Sequence, residues 1–298
     1  MPAKPILAVG SIALDTIETP FGRQHEILGG SATYFAVAAS LFAPVRLVGV
    51  VGSDYPEEGW QLFKERDVDI RDVQQKEGPT FRWGGHYSQD LAQRDTLYTE
   101  LGVFENFQPL ISEQNRRTEI LYLGNIQPSL QLAICREATG AQHVISDTMN
   151  LWIENNREEL TEVLQKTNTF LINDEEAVQL TGKEGLAEAA RWLLDRGPSA
   201  VVIKQGSRGA LLARNHHTAH IPVYPHAKVV DPTGAGDSFA GGFIGYIANH
   251  GNSNLEEAIA SGAAVASFTV EGFGLDGLRK ATSEEVHSRR ETINGLMD

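Results

Sequence analysis

The stretch VVDPTGAGDSFAG, residues 229–241, guides the interpretation of the whole chain. In it, Gly234, Ala235 and Gly236 come directly before Asp237 and the start of an apolar segment with helical periodicity. The first N–H groups of a helix have no intrahelical acceptors and carry a partial positive charge, so small residues here let an anion approach bare backbone. Alternatively, Thr233 and Asp237 only begin the helix and complement its dipole, which leaves the glycines unexplained.

The segment after this turn contains three more glycines, Gly241, Gly242 and Gly245. A glycine inside a helix costs about 1 kcal/mol relative to alanine, so another interaction must offset the loss. We therefore predict that this helix packs very closely against another element, which would hold its N-terminus rigidly in place.

The composition is that of an ordinary globular protein. With 298 residues, 41% of them hydrophobic, the chain can bury the core of one sizeable domain and a small accessory domain. The formal net charge of −14 and the lack of a basic run argue against nucleic acid as a partner. Cys135 is the only cysteine, so no intrachain disulfide can form. Because we find neither a signal peptide nor an apolar stretch of membrane-spanning length, we expect no membrane partner and a cytoplasmic location.

Short apolar runs without strict polar alternation recur along the chain, separated by amphipathic segments. They predict an α/β fold with a doubly wound, mainly parallel sheet covered on both faces. Residues 15–28 and 76–104 break this rhythm and resemble antiparallel strands. We predict that they form a small β-sheet lid, which would exclude water, over an α/β domain of residues 1–14, 29–75 and 105–298. The alternative is a pair of surface hairpins.

Several common ligand motifs are absent from the sequence. There is no G-x-x-x-x-G-K-[ST] loop and no G-x-S-x-G elbow. The G-x-G-x-x-G at residues 272–277 lacks the βαβ unit and the acidic ribose partner of a dinucleotide site. The histidines His216, His217 and His220 lie in a polar turn without carboxylate or cysteine at ligand spacing, so we expect a solvated loop and not a metal site.

The turn at residues 234–236 and Asp237 together indicate phosphoryl transfer. Backbone N–H groups would hold the transferring phosphate, while the carboxylate accepts the proton of an attacking hydroxyl. Because a helix N-terminus favours a charged carboxylate, we expect Asp237 to be ionised at neutral pH.

The stretch DPTGAGDSFAGGF, residues 231–243, resembles the C-terminal signature of the ribokinase-like, or PfkB-type, carbohydrate kinases. Four further stretches resemble this family in the same order along the chain, together with an apolar segment at 257–274: GSIALD (10–15), GGSATYFAVA (29–38), NDEEAVQLTG (173–182) and KQGSRGA (204–210). The resemblance covers almost the whole chain. It implies an ATP-dependent kinase that phosphorylates an alcohol of a sugar, nucleoside or related polyol, with Mg²⁺ and often a monovalent cation such as K⁺.

The family's functional positions can be carried over to this sequence residue by residue. Asp237 matches the catalytic base, and Gly234, Ala235 and Gly236 match the anion hole. Asn173 and Glu176 match the element that orders Mg²⁺ and phosphate, largely through water. The other nucleotide-side matches are Lys204, Gly206, Gly209 and, near the adenine, Ala263. The matches around a monovalent cation are Asp231, Thr233, Gly272 and Gly274.

On the acceptor side, Asp15, Gly29 and Gly30 match positions that grip hydroxyls, since a carboxylate can accept two hydrogen bonds from a vicinal diol. Taken alone, Asp15 could be a turn residue, the glycine pair a helix entry and Asn173 an N-cap. Only their order and spacing together favour the functional interpretation.

The chain also departs from the family. Ribokinase-like sequences often carry Lys and then Asn after the glycine pair, whereas this chain has Ser31 and Tyr34. We therefore expect an acceptor other than ribose. Tyr34 could contact that substrate. With three aromatic residues of the predicted lid it either lines a wide pocket for a nucleoside or belongs to the lid core: Phe81, Trp83 and Tyr87.

Two other classes of function compete with a small-molecule kinase. A catalytically idle sensor of a sugar or nucleotide would keep the fold, but it would not need Asp237. A nucleotide-binding oxidoreductase is disfavoured because the dinucleotide motif is absent. We expect a small-molecule substrate as the partner, and either a monomer or a homodimer that pairs through the lid.

Overall fold

The structure is a computed structural model that describes residues 2–91, 93–215 and 217–297. Of the three histidines discussed above, His216 lies outside these ranges. Within them the chain forms two sheets. The strands are β1 Ile6–Val9, β2 Ala13–Thr19, β3 Gly22–Gly29, β4 Val45–Gly52, β5 Asp69–Lys76, β6 Phe81–Tyr87, β7 Arg94–Glu100, β8 Ile120–Leu123, β9 His143–Ser146, β10 Thr169–Asn173, β11 Ala200–Lys204, β12 Ala210–Arg214 and β13 His217–Ile221.

The α-helices lie mostly between the strands. They are α1 Ser31–Ala39, α2 Glu57–Glu65, α3 Glu113–Arg116, α4 Pro128–Glu137, α5 Asn150–Asn155, α6 Arg157–Lys166, α7 Asp174–Thr181, α8 Leu186–Leu194, α9 Ala235–His250, α10 Leu255–Thr269, α11 Asp276–Lys280 and α12 Ser283–Asn294. No helix in the described ranges has the length and apolar composition needed to cross a membrane.

The larger sheet has nine strands in the order β13-β12-β11-β10-β9-β8-β1-β4-β5. Its pairs from β11 to β5 are parallel, and the β11–β12 and β12–β13 pairs are antiparallel. Because successive side chains of a strand point to opposite faces, both faces are apolar. Ile6 and Ala8 pack with α1, α9 and α10, while Leu7 and Val9 pack with α4 on the other face. The predicted doubly wound, mainly parallel fold is confirmed.

The smaller sheet has four strands in the order β3-β2-β6-β7. The hairpins β2–β3 and β6–β7 are antiparallel, but β2 and β6 pair in parallel. The sequence did not indicate this parallel pairing, because alternation within a strand contains no information about which strand lies beside it. A separate small sheet built from the two predicted segments is confirmed, and its function as a lid stays a prediction.

The three glycines inside α9 make the close contacts predicted for them. A Cβ added to Gly241 would lie 2.5 Å from Ala38 Cβ in α1. One added to Gly242 would lie 2.8 Å from the carbonyl oxygen of Ser261 in α10, and one on Gly245 would lie 2.8 Å from the Phe42 side chain. Two helices therefore pack on α9 at distances that any larger residue would prevent.

We predict that Gly241→Ala lowers the free energy of unfolding, although alanine favours helices by about 1 kcal/mol. The added methyl meets Ala38 and the carbonyl of Phe35, and such overpacking costs about 1–3 kcal/mol. Gly295→Ala is the matched control, because its Cβ would have no neighbour nearer than 3.6 Å and its φ of −66° suits alanine. Urea unfolding should show a loss for Gly241→Ala and no loss for Gly295→Ala; equal stability of both variants would contradict the packing argument.

Candidate active site

The predicted site residues gather where the parallel strands of the larger sheet end. Asn173 closes β10, Lys204 closes β11, and Asp147 follows β9. The smaller sheet begins at Ala13, a few residues after β1 ends. Since the carboxyl ends of parallel strands share one edge of the sheet, loops from several strands meet there, as in other open α/β sheets that bind ligands.

The turn that precedes α9 has the properties of an anion hole. Gly234 is the N-cap of α9 with a φ of +73°, and a Cβ on it would lie 2.3 Å from the Tyr34 ring. Ala235 N–H donates to the carbonyl of Pro232 at 3.2 Å. Among the described residues, the N–H groups of Gly236 and Asp237 donate to no backbone carbonyl. Both amides therefore lack a backbone acceptor, as an anion site requires, and the Asp237 N–H also donates to its own carboxylate.

Asp237 lies in the first turn of α9, partly accessible from the cleft. Burial, followed by the charge of Asp147, raises the pKa of Asp237 to about 7, while Lys204 and Arg94 oppose this rise. The expected full ionisation at neutral pH is therefore wrong, because desolvation outweighs the helix dipole. A carboxylate with a pKa near the working pH is a more effective general base than an ordinary aspartate.

A buried ion pair lies beside this turn. Lys204 Nζ is 2.8 Å from Asp147 Oδ2, and a Cβ on Gly236 would lie 3.4 Å from the same Nζ. Burial opposes the charged form of Lys204, but the carboxylates of Asp147 and Glu176 raise its pKa. Sequence reasoning did not name Asp147; its position directly after the apolar run HVIS could have indicated it.

Asn173 and Glu176 form a capping box at the start of α7. Glu176 N–H donates to Asn173 Oδ1 at 2.7 Å, and Asn173 N–H donates to Glu176 Oε2 at 3.0 Å. The N-cap interpretation of Asn173 is therefore right. The capping box leaves Glu176 Oε1 and the second lone pair of Asn173 Oδ1 for a ligand. Burial raises the pKa of Glu176 to about 7, with Lys204 opposing the rise.

The other predicted nucleotide-side residues occupy two places. Gly206 and Gly209, with φ values of +56° and +92°, form the loop between β11 and β12 directly after Lys204. Ala263 lies midway along α10, partly exposed and packed on the core. The glycine loop therefore follows Lys204 directly in the chain, whereas Ala263 lies on a separate helix.

Asp15 is held against the glycine pair that opens α1. Gly30 N–H donates to Asp15 Oδ2 at 3.3 Å, and a Cβ on Gly29 would lie only 2.0 Å from the same oxygen. Gly30 has a φ of +89°, and its Cβ would lie 2.5 Å from the carbonyl oxygen of Ser11. Both glycines are therefore required for the carboxylate to lie where it does.

The electrostatic environment of Asp15 resembles that of Asp237. Burial raises the pKa of Asp15 to about 7, against the bond from Gly30, and the charges of Asp231 and Asp237 add to the rise. Tyr34 is 1% exposed, and its hydroxyl has no hydrogen-bond partner in the described part of the chain. Burial raises the pKa of this phenol well above its ordinary value, followed by the charge of Asp15.

The residues predicted around a monovalent cation form a hydrogen-bonded link between two loops. Asp231 accepts from Thr233 N–H through Oδ1 and from Gly274 N–H through Oδ2, both at 2.9 Å. Thr233 Oγ1 also donates to the Tyr87 hydroxyl at 3.0 Å, which ties this turn to the smaller sheet. Gly272 lies in the same loop as Gly274. Over residues 2–91, 93–215 and 217–297 no cluster of three His, Cys, Asp or Glu could hold a metal ion.

The aromatic residues of the smaller sheet have different roles. Phe81 stacks on Phe104, with ring centroids 5.6 Å apart, so it belongs to the packing of this sheet. Trp83 lies below the guanidinium of Arg94, at 5.4 Å from Arg94 Cζ to the ring centroid. Tyr87 is buried at the turn before α9. Phe81 thus packs as a core residue does, whereas for Trp83 and Tyr87 both interpretations, aromatic pocket and lid core, stay predictions.

Comparison with known proteins assigns the chain to a family. The family model described as pfkB family carbohydrate kinase matches residues 6–280. The chain belongs to this family. It is accordingly an enzyme, a kinase of the carbohydrate and nucleoside class, in agreement with the fold and with the residues gathered around Asp237.

Two curated relatives and one solved structure illustrate the similarity. The cytidine kinase of Thermococcus kodakarensis is 30% identical over 80% of this chain and 87% of its own length. The nucleoside kinase of Methanocaldococcus jannaschii is 27% identical over 90% of this chain and 91% of its own. The structure of Arabidopsis thaliana ribokinase complexed with ribose and ATP has a TM-score of 0.79 at 22% identity, covering 98% of this chain and 99% of that one.

We predict that kcat/KM of this kinase falls on the acidic side of an apparent pKa near 7. Asp237 must be ionised to accept a proton and Asp15 to accept two hydrogen bonds, and burial raises the pKa of each to about 7. Because the two carboxylates interact, they titrate as a pair, and kcat/KM should fall more than about tenfold per pH unit below pH 6.

A pH series from 5 to 9 with saturating nucleotide measures this dependence. Asp15→Asn removes one of the two protons, so its acidic limb should be less steep than that of the parent. A parent profile that stays flat between pH 8 and pH 5.5 would contradict the raised pKa of both carboxyl groups.

Proposed function

We propose that the protein is an ATP-dependent nucleoside kinase, in which Asp237 takes the proton from a sugar hydroxyl as that hydroxyl attacks the γ-phosphorus. The observation that carries the proposal is the juxtaposition of two built sites. The amides at the start of α9 and Lys204 would form an anion site, and the carboxylate held by Gly29 and Gly30 would form a hydroxyl site. Asp237 interacts electrostatically with both Lys204 and Asp15, so it lies near both sites.

The residues on the donor side suit a magnesium-bound triphosphate. The amides of Gly236 and Asp237 and the ammonium of Lys204 are donors to phosphate oxygens. Asn173 and Glu176 supply oxygen atoms of the kind that Mg²⁺ prefers, directly or through water. Mg²⁺ bound there would neutralise charge on the phosphates. The glycine loop at 206–209 and Ala263 would border the nucleotide, as the family resemblance implies.

A monovalent cation such as K⁺ is part of the proposal. Asp231, Thr233, Gly272 and Gly274 supply the loops around it. Both carboxylate oxygens of Asp231 already accept backbone N–H groups, so Asp231 would act mainly by holding the two loops in place. The cation would then be bound largely by backbone carbonyls of these loops.

The acceptor side favours a nucleoside. Asp15 suits a vicinal diol, such as the 2′ and 3′ hydroxyls of a ribosyl group. Trp83 is the register partner of Asp15 across the β2–β6 pair, so both side chains leave the same face of the smaller sheet. A sugar held by Asp15 therefore places its base within reach of the indole, a surface on which bases stack. The names of the two curated relatives support this choice.

The chemical step follows from the positions of these groups. The acceptor oxygen forms a bond to the γ-phosphorus, and the bond from that phosphorus to the β–γ bridging oxygen breaks, which releases ADP. The hydroxyl proton passes to the Asp237 carboxylate. The amides at the start of α9 would stabilise the negative charge that spreads over the phosphoryl oxygens in the transition state.

An acceptor screen tests the proposed function. With Mg²⁺ and K⁺ present, ADP release is measured for purine and pyrimidine nucleosides, ribose, hexoses and polyols. We expect a nucleoside to give the highest kcat/KM, and ribose to be poorer because it lacks the base that would contact Trp83. If ribose or a hexose exceeded every nucleoside, the nucleoside assignment would be wrong, while the kinase assignment would stand.

We predict that Asp237→Asn lowers kcat by about 10²–10⁴-fold, the usual contribution of a general base, with little change in ATP affinity. The same variant should not be less stable than the parent at pH 8. The folded-state pKa of Asp237 is raised to about 7, so its protonated form stabilises the fold at lower pH and this contribution is lost as the pH rises through 7. The amide avoids burying a charge and still suits a helix start.

Both quantities are measured on one purified variant, with urea unfolding at pH 5 and pH 8. Glu284→Gln is the matched control, because Glu284 is an exposed acidic residue in the first turn of α12 and is not one of the proposed site residues. It should leave kcat unchanged. A kcat for Asp237→Asn within about tenfold of the parent would show that this residue only begins a helix.

A further inference from the structure

One end of the smaller sheet lies directly on the turn that precedes α9. Tyr87 is the last residue of β6, and its hydroxyl contacts Thr233 at 3.0 Å. Its cross-strand partner is Arg94, the first residue of β7. Directly opposed residues of an antiparallel pair project from the same face of a sheet. Because Tyr87 points towards the α/β domain, Arg94 does so too.

The same face carries the acceptor residues. Asp15 is the register partner of Trp83, so these two side chains share a face. Trp83 lies four residues before Tyr87 on β6, and because side chains alternate between the two faces of a strand, Trp83 and Tyr87 project from the same face. The contact between Arg94 and the Trp83 indole agrees with this placement. We call the surface that bears these four residues the inner face: Asp15, Trp83, Tyr87 and Arg94.

Around the site, carboxyl groups outnumber the cationic side chains, and Arg94 is a cation that is not paired with any of these carboxyl groups. Five carboxyl groups surround the cleft: Asp15, Asp147, Glu176, Asp231 and Asp237. Lys204 is already paired with Asp147. Arg94 is exposed and interacts with the hydroxyl of Tyr87, and no ion pair of its guanidinium is seen within residues 2–91, 93–215 and 217–297. Burial raises the pKa of both Asp237 and Glu176, and the charge of Arg94 opposes the rise in each, which places the guanidinium near both.

We propose that Arg94 is a catalytic residue, whose guanidinium donates to the γ-phosphoryl oxygens during transfer and is brought there by the smaller sheet. The proposal rests on the proposed function. A nucleotide triphosphate stays negatively charged even when it binds with Mg²⁺, so in a cleft of five carboxyl groups a cationic donor beyond one paired lysine would stabilise the transferring phosphoryl group. Arginine suits this role, since its planar guanidinium can bind two phosphoryl oxygens at once and stays charged.

The position of Arg94 also couples the two substrates. Asp15 and Arg94 stand on one sheet, so an acceptor held by Asp15 would help to keep this sheet, and with it the guanidinium, on the α/β domain. Without an acceptor, the guanidinium would be held at the phosphate less firmly. This arrangement would disfavour wasteful hydrolysis of ATP by water.

The test compares Arg94→Gln and Arg94→Lys with the parent. Arginine residues that contact a transferring phosphoryl contribute about 10³–10⁵-fold to kcat in other enzymes, so we expect Arg94→Gln to lose about 10²-fold or more. The KM of the acceptor should change less than about threefold, because Asp15 is intact. Arg94→Lys should recover only part of the loss, since an ammonium cannot bind two oxygens in a fork.

Arg23→Gln is the matched control. Arg23 is the cross-strand partner of Glu18, and Glu18 is in turn the partner of His86. His86 directly precedes Tyr87 on β6, so these three residues project from the face opposite to Tyr87 and Arg94. On that face Arg23 forms an ion pair with Glu18. The control removes the same charge from the sheet, and its kcat should equal that of the parent. An equal loss in Arg23→Gln would mean that net charge, and not phosphate contact, matters.

Two further measurements separate catalysis from a structural role of Arg94. Added guanidinium chloride at low concentration should restore part of the kcat of Arg94→Ala and leave the parent unchanged. Calorimetry should show that Arg94→Gln weakens binding of ADP with aluminium fluoride, a mimic of the transferring phosphoryl, at least tenfold more than binding of ADP alone.

The outcomes distinguish this proposal from the proposed function. If no nucleoside is a substrate but the aluminium fluoride complex is weakened, the nucleoside assignment fails and the assignment of Arg94 stands. Two results would show that Arg94 does not contact the phosphoryl group. One is a kcat of Arg94→Gln within about threefold of the parent. The other is a lower kcat that guanidinium does not restore in Arg94→Ala, together with an equal loss of affinity in Arg94→Gln for ADP alone and for ADP with aluminium fluoride.

Discussion

The close approach of α1 and α10 to α9 is the constraint on which the site depends. Gly241 and Gly242 let two helices pack at distances where a methyl group would collide, and Gly234 admits the ring of Tyr34 beneath the turn. These contacts fix the N-terminus of α9, and with it the two amides and the carboxylate that lie there. An electrostatic site works only if its dipoles do not reorient during the reaction, so rigid packing here serves catalysis directly.

The site concentrates negative charge at a cost in stability. Burial raises the pKa of Asp15, Glu176 and Asp237 to about 7 each, so in the folded protein their ionised forms are disfavoured. In the proposed function, each carboxylate is nevertheless needed as a ligand or a base near neutral pH. Such a conflict between stability and activity is common at active sites, and the apolar core on both faces of the larger sheet offsets it. Cationic ligands and hydroxyl donors relieve it on binding.

The parts of the site that could be predicted from the sequence are those whose residues lie close together in the chain at a fixed spacing. The turn at 234–236, Asp237, the glycine pair beside Asp15 and the capping residues Asn173 and Glu176 are all of this kind, and the structure brings them to one edge of the sheet. Asp147 and Arg94 stand alone in the sequence, and only strand pairing brings them to the cleft. The expectation that Asp237 is ionised at neutral pH was wrong, because burial, which raises its pKa, depends on residues far apart in the chain, whereas the helix dipole is local.

In the proposed function, the smaller sheet contributes residues to both the acceptor and the phosphate. Its strands alternate, so residues facing the cleft are separated by residues facing away, such as Glu18 and His86. The parallel pairing of β2 with β6 brings Asp15 beside Trp83, and the antiparallel pairing of β6 with β7 adds Arg94 to the same face. A hydrogen bond from Thr233 to Tyr87 links this face to the turn before α9. In the proposed function, the register of three strands and the start of one helix align acceptor, phosphate and general base. A one-residue slip in β6 or β7 would turn the donor residues away from the cleft.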